Sequence, residues 1–195
     1  MTRPAPLRFV FGLHLHQPVG NFDHVMADHV RDVYRPILER ASAAGFIPLT
    51  LHVSGPLLEW LEQHDTAWLD MVGRLASDKK LELLLAGFDE PILASLPKPD
   101  RLEQIARLRE YLKRRFGVEA TGLWLTERVW QPGLAEDLAD AGVEYALVDD
   151  RHFLVSGYRP DELHRPHLTE ANGRRVGLLA IDERLRYLIP FRPPD

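Results

Sequence analysis

The sequence contains no cysteine, which excludes disulfides and thiolate metal sites and leaves the compartment open on that count. It also has no long apolar run. The first candidate, Leu7 to Leu13, is broken by Gly12 and ends at His14. A signal peptide or membrane span is therefore not supported, and a cytoplasmic location is the default expectation. A strong excess of either charge is missing too. The 24 Lys and Arg stand against 29 Asp and Glu, a net charge of −5 with no basic tract, so nucleic acid is not an expected partner. No glycine-rich phosphate loop of the GxGxxG or GxxxxGKS kind follows the first apolar segment, and no internal repeat is visible. What is present is 195 residues, 45% hydrophobic and 27% charged, ordinary for one globular domain.

Short apolar segments alternate with helical stretches. Leu7 to His16 predicts a first strand ending in His14, His16, Gln17 and Pro18. Residues two apart in a strand face the same way, so His14 and His16 present together. They could hold a metal, grip sugar hydroxyls or sit as core imidazoles; their place at a strand end beside Gln-Pro favours a ligand-facing role. Val25 to Ala41 has helical spacing, with Pro36 expected in the first turn of a second helix and Gly45 as its cap. Ile47 to Val53 predicts a second strand with His52 near its end. Leu57 to Ala76 reads as helical, interrupted at His64-Asp65. Leu81 to Gly87 predicts a third strand leading into Phe88-Asp89-Glu90-Pro91. Asp100 and Glu103 have the spacing of a capping box for a helix closed by Gly117. A short helix, Leu134 to Ala141, precedes a strand, Glu144 to Val148, that ends in Asp149-Asp150. Arg175 to Ile181 predicts a further strand before Asp182-Glu183, and Tyr187 to Phe191 a late strand or buried loop.

Between Gly117 and Leu134 lies the stretch with most chemistry. Leu123 and Leu125 alternate with Trp124 and Thr126, a buried strand that Pro132-Gly133 breaks. Glu127 and Arg128 leave this run between two tryptophans. Two readings stay open for them: ligand-facing residues at the C-terminal end of a parallel strand, or an ion pair that pins the strand end. Strand after strand ends in such a polar cluster, with helices between. That pattern predicts a parallel sheet whose C-terminal ends converge on one site. A doubly wound open sheet shares it, but with no phosphate loop a barrel is the better expectation.

In chain order, His14-Leu15-His16-Gln17-Pro18, Gly87-Phe88-Asp89-Glu90-Pro91-Ile92-Leu93 and Trp124-Leu125-Thr126-Glu127-Arg128-Val129-Trp130 resemble the opening part of glycoside hydrolase family 57, enzymes acting on α-glucans. Val148 to Phe153 and Ile181 to Phe191 resemble it as well, closest to its 4-α-glucanotransferase and α-amylase branch. The resemblance spans nearly the whole chain. It implies an α/β fold, a parallel-stranded (β/α)7-type barrel left incomplete, with residues 1–195 as the N-terminal part of a single catalytic barrel. It also implies retaining chemistry, no metal or cofactor, and an α-glucan or maltooligosaccharide substrate. Glu127 falls on the family's nucleophile. His16 and Glu90 fall on residues lining the subsite of the attacked sugar, Trp124, Arg128 and Trp130 on their neighbours, and His14, Asp149 and Asp150 on further site-lining positions. The sequence departs from the family pattern at Asp89, where an aromatic residue is common, and at Gln131, where Glu is common. No stretch matches the later motif that carries the acid/base Asp; Asp182 belongs to the block before it. The chain is therefore expected to be inactive by itself.

The residues suit that chemistry. A retaining glycosidase needs a carboxylate nucleophile and a second carboxyl group about 5–5.5 Å away. An adjacent arginine such as Arg128 would favour an ionised Glu127, and tryptophan faces suit sugar rings or core packing equally. Two other functions remain in view. One is a metal-dependent polysaccharide deacetylase, with His14, His16, Asp149 and Asp150 around a divalent ion, although an HxxxH pattern is absent. The other is a non-catalytic α-glucan-binding module.

Overall fold

The structure, a computed structural model, describes residues 9–44, 49–188 and 192–193. The chain divides into two compact units, Met1–Leu83 and Leu84–Asp195.

In the first unit, β1 (Phe11–Leu15), β2 (Leu49–Val53) and β3 (Leu81–Leu83) form a parallel sheet in the order β1-β2-β3. The central strand β2 is buried at every position, including the polar Thr50 and His52. Its register places His52 directly opposite His14. Leu7 and Arg8 of the predicted first strand, Ile47 and Pro48 of the second, and the Gly45 cap lie outside the described residues. Between β1 and β2 the helical spacing resolves into α1 (Asp23–His29), a π-helical turn (Val30–Tyr34) and α2 (Arg35–Ala44). Pro36 sits in the first turn of α2, as expected. It has no N–H to give the carbonyl four residues back. The π turn before it closes with the Arg35 N–H donating five residues back, to Val30. α3 (Gly55–His64) and α4 (Thr66–Ser77) break where the sequence predicts. Asp65 makes the break: its carboxylate accepts the Trp68 N–H at 3.1 Å and caps α4. Leu57, Leu58, Leu61, Trp68, Leu69 and Val72 are buried in this unit, each worth about 1.5–3 kcal/mol of transfer free energy.

The second unit opens with a parallel bridge from Leu85 to Leu123. The predicted third strand is thus shorter than Leu81 to Gly87, since β3 stops at Leu83. α5 (Lys98–Phe116) starts two residues before Asp100, because Pro99 fits a first helical turn. Asp100 lies inside that turn, so the expected capping box does not form there. Next come β4 (Gly122–Trp124), α6 (Leu134–Asp140), β5 (Tyr145–Asp149), α7 (Asp150–Val155), β6 (His167–Ala171), β7 (Arg174–Ile181) and α8 (Glu183–Leu188). The sheet order is β4-β5-β7-β6, with β4–β5 and β5–β7 parallel. β6 and β7 pair antiparallel, which corrects the expectation of an all-parallel sheet. The cause is the two-residue turn Asn172-Gly173, with φ of 49° and 78°, the left-handed pair that a tight hairpin requires. Tyr187 and Leu188 end α8 rather than forming a strand; Ile189, Pro190 and Phe191 lie outside the described residues. Asp182 caps α8, its carboxylate accepting the Leu185 N–H at 2.9 Å. The architecture is mixed α/β, with parallel pairing in both units.

Candidate active site

In the first unit, His14 and His16 are both exposed, and their rings stack at 5.9 Å with planes 15° apart. They share a face, as strand periodicity predicts. His14 also meets the fully buried His52, with ring centroids 5.0 Å apart and Nδ1 atoms 2.9 Å apart. Burial, reinforced by the neighbouring His14 and His16, holds the His52 imidazole well below the ordinary histidine pKa. His52 is therefore neutral, and a single proton joins the two Nδ1 atoms. Gln17 is buried as well. Its side-chain amide donates to the Tyr34 hydroxyl (2.9 Å) and its carbonyl accepts from Asn21 (2.6 Å). The Tyr34 hydroxyl in turn donates to the His16 carbonyl at 3.2 Å, and the Gln17 N–H donates to the Ser54 hydroxyl at 3.2 Å. The Gln of the His-x-His-Gln-Pro block is thus a structural hub for the loop that carries His16.

In the second unit, Glu90 is buried and left-handed, with φ of 56°. Its loop is tightly built: a Cβ on Gly87 would come within 2.7 Å of the Pro91 ring, so glycine is required there. Asp89 explains one departure from the family pattern. Its backbone N–H donates to the Gln104 side chain (2.9 Å), and its carboxylate accepts from Gln104 (2.9 Å) and Arg107 (2.7 Å). The Arg107 guanidinium also lies 4.3 Å over the Phe88 ring. Asp89 therefore anchors the Glu90 loop to α5. The buried Arg101 of α5 holds the chain beyond it, donating to the carbonyls of Leu93 (2.8 Å) and Leu96 (2.9 Å) and pairing with Asp137. Gln131 explains the other departure. Its amide donates to the Ala94 carbonyl at 3.4 Å, a bond that an ionised Glu could not make.

β4 ends at Trp124, earlier than the alternation through Thr126 predicts, because Thr126–Arg128 forms a 3-10 turn. Glu127 has φ 53° and ψ 8°, and Arg128 has φ 55°. Left-handed backbone at a non-glycine residue costs about 1–3 kcal/mol and persists where its surroundings enforce it, often at functional sites. Among the described residues, three of the five such positions are Glu90, Glu127 and Arg128. The strain is therefore concentrated on candidate site residues. Glu127 is exposed, while Trp124, Arg128 and Trp130 are half-buried.

Arg128 directs its Nε at Asp149, 3.1 Å from Oδ2. The charge expected to act on Glu127 is thus committed across the turn, to the end of β5. The His152 Nε2 lies 2.8 Å from the Arg128 carbonyl; since a carbonyl only accepts, that nitrogen carries the proton. Burial pushes the Asp149 carboxyl up, but the Arg151 N–H, Asp150 and Arg128 together outweigh it and the pKa is lowered. For Asp150, burial raises the pKa and the Asp149 charge raises it further. As pH rises, Asp149 therefore ionises first and Asp150 after it. The Asp150 Oδ2 accepts the Glu183 N–H at 3.2 Å.

The structure thus brings His14 together with His16, and Arg128 with Asp149. Sequence reasoning passed over Gln17, His52 and His152 as site residues. His52 did carry a signal, as a polar residue near the end of a predicted strand.

The family described as glycosyl hydrolase family 57 matches residues 10–194. An α-amylase of Pyrococcus abyssi is 48% identical over 189 residues, 97% of this chain and 29% of that protein. A 4-α-glucanotransferase of Thermococcus kodakarensis is likewise 48% identical over 189 residues, with the same 97% and 29% coverage. The crystal structure of the 4-α-glucanotransferase from Thermococcus litoralis matches with a TM-score of 0.90 at 47% identity, covering 94% of this chain and 29% of that one. The chain spans under a third of the length of these relatives.

Proposed function

The chain belongs to glycosyl hydrolase family 57, and from that premise we propose that the protein bearing it cleaves or transfers α-1,4-linked glucans with retention, using Glu127 as nucleophile. The observation that carries this is the conformation of Glu127: exposed, left-handed, and three residues past the end of the parallel strand β4. A carboxylate held out from a strained turn is presented to a substrate rather than packed away.

The chemistry then runs in two steps. The Glu127 carboxylate attacks the anomeric carbon, the glycosidic bond breaks, and the departing oxygen takes a proton from an acid, leaving a glycosyl ester. Water or a sugar hydroxyl, deprotonated by the same group acting as base, then displaces Glu127. His14, His16, Glu90, Trp124 and Trp130 serve as sugar contacts, and Arg128, Asp149 and Asp150 as the polar lining behind the nucleophile. The strands belong to a (β/α)7-type barrel, of which these residues form part. The acid/base Asp lies in a motif that nothing in this sequence resembles, so the 195 residues alone are not expected to turn over maltoheptaose. The relatives are named for both hydrolysis and glucan transfer, which supports this reading over a deacetylase or a binding module.

The test is Glu127→Gln in the whole protein. Turnover of α-1,4-glucans should fall by several orders of magnitude while binding survives, since the shape is kept and the nucleophilic charge is lost. Azide added to Glu127→Ala should give a β-glycosyl azide. Near-normal turnover in Glu127→Gln would sink the assignment.

A further inference from the structure

We propose that His152 is a positioning residue that holds the Glu127–Arg128 turn in its left-handed conformation. The role builds on the reading of Glu127 as nucleophile, because the turn it holds is the one that presents that carboxylate.

Two consecutive non-glycine residues are left-handed, at a combined cost of about 2–6 kcal/mol. The turn's first hydrogen bond is good: the Arg128 N–H donates to Leu125 at 2.7 Å. Its second is poor, with Val129 N–H to Thr126 O at 3.5 Å, at the outer limit of a useful bond. Among the described residues the buried Thr126 hydroxyl meets no hydrogen-bond partner, and it adds nothing. Left to itself, the second half of the turn is held weakly.

The start of α7 supplies the restraint. His152 Nε2 donates to the Arg128 carbonyl at 2.8 Å, fixing the peptide plane that follows the strained pair. Three residues earlier, Asp149 takes the Arg128 guanidinium at 3.1 Å. One residue is thereby gripped at main chain and side chain from a single short segment. That segment is itself fixed. Asp149 caps it by accepting the Arg151 N–H, and Phe153 is buried with its ring 4.6 Å from His167 and 5.7 Å from Tyr158. A rigid helix start therefore clamps the residue beside the nucleophile.

Glu127, once it is free to swing, would attack less often but bind sugar no worse. In the whole protein, His152→Ala should lower kcat on maltoheptaose by about 10- to 100-fold, the penalty of misplacing a reacting group by about 1 Å, with KM within about twofold. His152→Gln should recover most of the loss, because its amide nitrogen can reach the place of Nε2. Nitrogen-15 spectra of the wild-type His152 ring should show the Nε2–H tautomer, a readout independent of turnover and of how the variants fold. An unchanged kcat in His152→Ala, equal losses in the Ala and Gln variants, or an Nδ1–H tautomer would each overturn the proposal. Glu127→Gln separates the two readings. If it is inactive while His152→Ala matches wild type, the clamp fails and the nucleophile stands. If it is active, the nucleophile reading fails and the tautomer still decides the clamp.

Discussion

His52 is neutral in the folded chain, whereas an unfolded histidine titrates near pH 6.5. Its native pKa is depressed, so below about pH 6.5 the unfolded state binds the extra proton. Stability should then fall with pH at up to about 1.4 kcal/mol per unit. His52→Asn keeps a polar atom near Nδ1 but cannot be protonated; denaturant melts from pH 4.5 to 7 should show a flatter acid limb, at an overall cost of about 1–3 kcal/mol for the lost ring. Asp150 has the opposite sign. Its native pKa is raised, so its contribution is fully present below the unfolded value near 3.8 and is lost as pH rises through the folded one. Asn at this position can accept from the Glu183 N–H and donate to Asp149, as the protonated acid does. Asp150→Asn should therefore melt higher than wild type at pH 7, with the gap closing toward pH 4; a constant gap would contradict the raised pKa of Asp150. Such roles were only partly legible in the sequence. Asp89 and Gln131 stood out as departures, but their partners Arg107 and Ala94 are 18 and 37 positions away, beyond any local pattern.

The longer helices are legible because their signals are local, the short α7 and α8 are not, and strands are less legible because their signals are shared with partners. Asp65 and Gly117 marked helix ends by their own chemistry. β6 was missed: His167–Ala171 alternates only between half-buried and exposed positions, although Asn172-Gly173 is a hairpin signal that could have found it. Arg101 was also readable. It falls on the buried stripe of α5 with Ile105, Leu108 and Leu112, a helical spacing of i, i+4, i+7 and i+11 that puts it on the apolar face. Arg101→Met should leave the Leu93 and Leu96 carbonyls and Asp137 short of a partner, with Lys98 at 3.1 Å compensating in part for Asp137. The expected loss is about 3 kcal/mol in urea unfolding. A loss below 1 kcal/mol would mean that the clamp is not structural.

At the scale of the whole chain, the boundary between units falls at Leu83–Leu84, inside a run from Leu81 to Gly87 that reads as one strand. A continuous apolar run shows that a segment is buried but not which strand it pairs with, so the boundary was invisible in the sequence. Net charge is legible at this scale. The 195 residues carry −5 at pH 7 and an isoelectric point near 6.0, and they expose Val19, Phe22, Val155 and Leu168. Loss of charge repulsion near pH 6 should let such patches associate. Light scattering of the 195-residue chain from pH 5 to 8 should peak near pH 6.0, and a flat profile would exclude charge as the control. The π turn at Val30–Tyr34 makes residue count a determinant of its own. One residue advances an α-helix by about 100°, so the turn acts as a phase shift between α1 and α2. Deleting one residue between Val30 and Val33 would remove that shift, leave the ladder open only at Pro36, and rotate one half against the other. Tyr34 would swing away from Gln17, and the loop bearing His16 would lose its support with no site residue replaced.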